Sequence, residues 1–109
     1  MISDTWRLYL QDALEERFPD FEVVFEPPGD YILPKPCIVY ELRRRRPAYS
    51  NNVPYVIGRE FEVTFLTNGL TDHDYDIMFN IPGVVVTNSN RHTTNGVVHE
   101  VFTVNINTI

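Results

Sequence analysis

The 109-residue chain is short of several things, and each shortage removes a class of answer. It has a single cysteine, Cys37, so no internal disulfide forms and a disulfide-stapled scaffold is excluded; a reducing cytoplasm is the compartment this suits. No apolar run approaches the roughly 20 residues that span a bilayer. The opening "MISDTWRLYL" lacks the basic-then-apolar order of a signal peptide, so no membrane partner is expected. GxxxxGK[ST], GxGxxG, HExxH and CxxC are all missing, which leaves phosphate cradles and zinc sites without support, and no cofactor is expected. Positive charge is scarce too. Nine Lys+Arg against 15 Asp+Glu give a net charge of −6, the reverse of the balance in a general nucleic-acid binder.

What the chain does have is apolar and aromatic weight, at 43% hydrophobic residues, one Trp, six Tyr and seven Phe. That suffices for one core, and the length allows a single domain over residues 1–109. Ser3 or Asp4 is placed to cap a first helix, in which Trp6, Tyr9, Leu10, Ala13, Leu14 and Phe18 recur at helical spacing. Asp12, Glu15, Glu16 and Arg17 fall mostly on the other side, and Pro19 ends the helix. "FEVVFE" (21–26) reads as a short strand, "PPGDYILPKP" (27–36) as an extended loop, and "CIVYEL" (37–42) as a second strand.

"VPYVIGREFEVTFLT" (53–67) is the longest strand. Tyr55, Ile57, Phe61, Val63 and Phe65 share one face, while Glu60, Glu62 and Thr64 meet water. Gly58 within it suggests a bulge or a close approach. "NGLTDHDYDIMFNIPG" (68–83) reads as turn, cap and short helix, with Asp72 as cap, Asp74 and Asp76 at the positive end of the dipole, and Pro82-Gly83 as the stop. Asn95-Gly96 joins strands at 84–94 and 97–106 in a hairpin. The expected fold is α+β, order α-β-β-β-α-β-β, with two helices on one face of a mainly antiparallel sheet. Ile38, Tyr40, Leu42, Tyr55, Ile57, Phe61, Val63, Phe65, Phe102 and Val104 are expected to form one core with Trp6, Leu10, Leu14 and Phe18.

Candidate chemistry is thin, and no enzyme is expected. "DHDYD" (Asp72, His73, Asp74, Asp76) is the best metal candidate, yet acids are expected at a capped helix start. His99 and Glu100 are strand neighbours and point to opposite faces, so they cannot share one proton; His99 reads as a hydrogen-bonded strand histidine. Cys37 has no base partner and reads as a buried small side chain.

Four of the nine positive charges sit in one run, Arg43, Arg44, Arg45 and Arg46. Alternation sends Arg43 and Arg45 one way and Arg44 and Arg46 the other. Three readings stay open: a solvated strand end that blocks edge aggregation, a docking surface for an acidic partner or a second copy of the chain, and contact with nucleic acid. The following "PAYSNNVP" (47–54) reads as a protruding loop, which adds Tyr49, Asn51 and Asn52 to the docking candidates. Glu60, Glu62, Asp72, Asp74 and Asp76 are the acidic counterparts expected on a neighbouring copy.

Three segments, "KPCIVYEL" (Lys35 to Leu42), "SNNVPY" (Ser50 to Tyr55) opening onto "REFEVTFLT", and "NGVVHEVFTVNI" (Asn95 to Ile106), come in one order and spacing. Together they resemble the small tail-completion or tail-terminator proteins of long-tailed phages, over about residues 21 to 107. Two departures stand out: the relatives carry mixed or acidic residues where this chain has Arg43–Arg46, and an Asp-Pro turn where it has "NGLTDHDYD". No role for the arginines is therefore carried over. The resemblance implies a non-enzymatic virion protein that assembles in the host cytoplasm and forms a homo-hexameric ring at the head–tail junction. Its partners would be further copies of itself, the tail-tube protein and the head–tail connector protein, with DNA at most passing through the ring lumen. A neck or head-completion protein, and a small nucleic-acid-binding regulator, are the alternatives.

Overall fold

A computed structural model of the chain describes residues 5–29, 36–50, 53–69 and 73–108. Helix α1 spans Thr5–Arg17, and Phe18 still donates its N–H to the Leu14 carbonyl at 2.9 Å before Pro19 stops the turn. Leu10, Ala13 and Leu14 are buried while Asp12, Glu15 and Glu16 are exposed, as the helical spacing requires. Tyr9 departs from the expected stripe. It lies on the flank, 43% exposed, and its hydroxyl donates to the Pro82 carbonyl. A phenol behaves this way when its ring can cover apolar surface while its tip reaches a polar partner. The caps expected at Ser3 or Asp4, and the side chain of Trp6, lie outside the described residues.

Strands β1 (Glu22–Phe25), β2 (Cys37–Ser50), β3 (Val53–Thr67), β4 (Val84–Thr94) and β5 (Val97–Thr108) form one sheet in the order β1-β2-β3-β5-β4. The sheet is mixed. β1 pairs with β2 in parallel, and the other three pairings are antiparallel. Two expectations are corrected. β2 does not end at Leu42 but continues through the arginines, pairing as far as Ser50 with Val53, so the expected 47–54 loop is mostly strand. Only residues 51 and 52 remain between the two strands, and they lie outside the described residues. The irregularities are not at Gly58: one falls at Arg43 in β2, between Leu42 and Arg44, and the other at Tyr55 in β3, which the register skips between Ala48–Val56 and Tyr49–Pro54.

The expected second α-helix is a six-residue 3-10 helix, Tyr75–Asn80. A helical piece this short is commonly 3-10 rather than α. Asp74 caps it, its carboxylate accepting from the Asp76 N–H at 3.2 Å. Asp72, the expected cap, lies outside the described residues. The Asn95-Gly96 turn matches expectation: φ values of 51° and 76° are the paired positive angles of a type I′ hairpin, with Thr94 opposite Val97.

The core gathers Leu10, Leu14 and Phe18 from the helical end, Ile38, Tyr40, Phe61, Val63, Phe65, Phe102 and Val104 from the sheet, and Met78 from the 3-10 helix. Leu42 packs against it partly buried, and the side chains of Tyr55 and Ile57 lie outside the described residues. Phe21, Ile81, Val84 and Ile106 join it as well. Phe65 is the hub, its ring 4.8 Å from Phe18, 5.3 Å from Phe21, 5.1 Å from Tyr75 and 5.7 Å from Phe102, all at the steep interplanar angles that aromatic quadrupoles favour. Tyr40 is buried too, and its hydroxyl donates to Gln11 Oε1 at 2.5 Å, tying the sheet to α1.

Candidate functional site

The arginine run lies on an arm made by the distal halves of β2 and β3; β5 flanks β3 alongside the run, from Glu60 opposite Asn105 to Ile57 opposite Thr108, and only the tip beyond is two-stranded. Register decides which way each arginine points. Leu42 sits opposite Phe61 on the core face, and the next paired residue is Arg44 opposite Glu60, so Arg43 is the extra residue of a bulge. Beyond it the frame has slipped by one. Arg44 and Arg46 share the outer face with Glu60, while Arg45 is opposite Arg59 on the face that continues from the core. The bulged Arg43 does not pair off with Arg45 as strict alternation expected; its guanidinium meets Glu41 on the outer face at 3.1 Å. Three arginines thus share one face, and Arg45 is alone on the other side of the run.

Glu60 organises the outer face. Arg44 Nε lies 3.3 Å from one of its oxygens and Arg46 Nη2 3.2 Å from the other, with both arginine side chains 60% exposed and the Glu60 side chain only 16% exposed. The two cations screen the carboxylate from water. Glu62, opposite Glu41, lies one step along the same face. With Glu41, Glu60 and Glu62 against Arg43, Arg44 and Arg46, the formal charge of this face is zero. Arg45 and Arg59 form the opposite situation, two guanidiniums facing each other across the strands. Burial first, and the Arg45 charge second, lower the Arg59 pKa from its ordinary value.

The edge of β2 beside these residues is closed only in part. β1 covers it as far as Phe25 opposite Tyr40, after which Glu26, at a positive φ of 42°, donates its N–H to the Tyr40 carbonyl and accepts from the Leu42 N–H through its own carboxylate. Past Leu42 no strand among the described residues pairs with that edge. β4 is the other edge of the sheet, and its residues from Thr87 to Thr94 are all exposed.

Of the residues singled out in the sequence, Arg43, Arg44, Arg46, Glu60 and Glu62 therefore come together, and Glu60 serves as partner within the same chain rather than waiting for a neighbour. Asp74 caps the 3-10 helix and Asp76 lies in its first turn, and among the described residues no ion pair joins them to the arginines. Tyr49 belongs to the β2 backbone, and Asn51 and Asn52 lie outside the described residues. Glu41, Glu26 and Arg59 were missed. Arg59 left a signal, as a charge at an inward position in an otherwise apolar alternation.

His99 and Glu100 do point to opposite faces. Glu100 meets Arg91 at 2.8 Å, and His99 sits opposite His92. Cys37 is buried. A shallow cleft between the ends of α1 and the 3-10 helix, lined by Phe18, Asp20, Phe21, His73 and Asp74, holds His73 by ring contacts with Phe21 at 4.7 Å and Tyr75 at 5.9 Å. No protein-family model matches the chain, and no curated protein matches it.

Proposed function

We propose that this chain is a non-enzymatic assembly protein of a long-tailed phage virion, a tail terminator or tail-completion protein. It forms a hexameric ring on the head-proximal end of the tail tube, ends tube polymerisation and presents a surface to the head–tail connector. The reading rests on the three sequence segments already described, and the observation that carries it structurally is the β2–β3 arm. A ring subunit needs two different patches, one for each neighbour. The open β2 edge beyond Leu42 supplies one, flanked by exposed guanidiniums, and the β4 edge supplies the other. Edge strands join by backbone hydrogen bonds, and charged side chains beside them select the partner. The resemblance implies an α+β subunit, with which one α-helix and one 3-10 helix on a mainly antiparallel sheet are compatible, and the molecule's extents of 52 × 30 × 24 Å suit an elongated subunit.

A nucleic-acid regulator is the less favoured reading, because Glu41, Glu60 and Glu62 neutralise the face on which three of the four arginines lie. The test is to image, by negative stain, particles made without this chain. Tails of variable length, or tails that fail to join heads, are the expected result; uniform, infectious particles would end the proposal.

A further inference from the structure

The outer face of the β4–β5 hairpin carries a second feature, independent of the arm. His92 and His99 are direct cross-strand partners, and their imidazole rings stack plane to plane, 4.5 Å between centroids and 13° between planes. We propose that these two histidines form a bidentate site for a borderline divalent transition cation of the Zn2+, Cu2+ and Ni2+ class.

Three observations support it. The first is the tautomer of His99. Its Nδ1 lies 3.2 Å from the Val97 carbonyl oxygen, and since a carbonyl only accepts, Nδ1 must carry the proton. In the neutral ring that leaves the Nε2 lone pair as the one that binds a metal, and a backbone carbonyl behind the ring is a common way of orienting a histidine ligand. The second is reach. Two nitrogens on one tetrahedral zinc at about 2.0–2.1 Å each are about 3.3 Å apart. Rings already stacked side by side need only modest side-chain rotation to arrive there, and exposed His92 has room to make it.

The third is charge. The neighbours in sequence that could repel or compete, Arg91 and Glu100, belong to the opposite face and are paired with each other at 2.8 Å. Next to the histidines on their own face come Leu66 on β3 and, two residues along the strands, Asn90, Thr94, Val97 and Val101. No cation stands among these, and the chain as a whole is negative at −6. Among the described residues no group of three His, Cys, Asp or Glu is assembled, so water fills the remaining positions and the affinity belongs in the micromolar range rather than that of a structural zinc site. Bound metal would tie the edge strand β4 to β5 beside the Asn95-Gly96 turn.

The experiment is calorimetric titration of ZnCl2 into the full chain without an affinity tag, alongside His92→Ala, His99→Ala and His73→Ala. One zinc per chain is expected, weakened at least tenfold by loss of either His92 or His99 and unchanged by loss of His73. The nitrogen resonances of the wild-type imidazoles provide a check that needs no variant, with the Nε2 signals of His92 and His99 moving together in a single saturable process. The absence of saturable binding at millimolar zinc, or binding that survives loss of either residue, or Nε2 signals that do not move, would overturn the proposal.

Discussion

Arg44 and Glu60 face each other across β2 and β3, guanidinium to carboxylate at 3.3 Å, and Arg46 closes on the same carboxylate from the other side. The acidic partner of the arginine run is thus first of all internal. Exposed ion pairs contribute only about 0–1 kcal/mol each, so this cluster shapes the surface more than it holds the fold. Glu60→Gln, which removes the carboxylate from both pairs, is accordingly expected to change unfolding free energy by no more than about 2 kcal/mol. The same change leaves Arg44 and Arg46 without their internal counter-charge and should strengthen attraction to an acidic partner. Denaturant titration checks the first part, and the salt dependence of ring or tail association checks the second.

Replacing Arg44 and Arg46 together by glutamate turns a formally neutral face strongly negative, placing two new carboxylates within reach of Glu60. The folded subunit is expected to survive, by circular dichroism, while ring formation or head joining is impaired. Arg45→Glu tests the other face, where it would bring a carboxylate opposite Arg59 and relieve a like-charge pair. If both variants assemble as wild type does, the arginines are a solvated stretch of strand with no docking role.

Phe61 is fully buried at the centre of β3, between Leu42 on one side and Val104 on the other. Phe61→Ala should destabilise the fold by about 3–5 kcal/mol, measured by chemical denaturation. A change within error would mean that the strand faces are reversed.

Gly96 holds φ at +76° in the hairpin turn, where an added Cβ meets no neighbouring atom within 4 Å. The penalty for alanine there comes from backbone conformation alone. Gly96→Ala should cost about 1 kcal/mol, read as a lowered denaturation midpoint with an unchanged slope.

The Tyr40 phenol is pushed above its ordinary pKa, chiefly by burial, with the Arg7 charge and hydrogen bond acting the other way. A raised pKa means that the folded state holds the proton more tightly than the unfolded chain does. Its contribution is complete below about pH 10, the value for an unperturbed tyrosine, and is lost as the pH climbs through the folded value. Wild type should therefore lose more stability than Tyr40→Phe between neutral pH and alkaline pH, when the two are compared by denaturant unfolding at each pH. At neutral pH the variant should be weaker by about 1 kcal/mol through loss of the bond to Gln11.

Much of the fold was legible because side-chain alternation and turn chemistry are local. Phe61, Val63 and Phe65 announce their face, Asn95-Gly96 announces its turn, and Leu10 and Leu14 announce the buried side of α1. The arm was not legible, for a physical reason. Alternation is visible only where apolar and polar residues differ, and in four consecutive arginines a one-residue slip leaves no trace in the pattern. Pro47 opens the segment that reads as a loop, yet a proline is tolerated in a strand where its missing N–H would point out of an open edge, and β2 has such an edge beyond Leu42. The parallel β1–β2 pairing depends on the path from Glu26 to Pro36, which no local signal encodes. The His92–His99 pair needed the register of a hairpin, which the turn alone could have supplied.

The most direct test of the central claim is the length distribution of tails assembled in cells with and without this chain, measured on negatively stained particles. A ring that ends tube growth predicts a narrow distribution with the chain and a broad one, with tails that do not join heads, without it. An equally narrow distribution of joined tails in its absence would contradict the account.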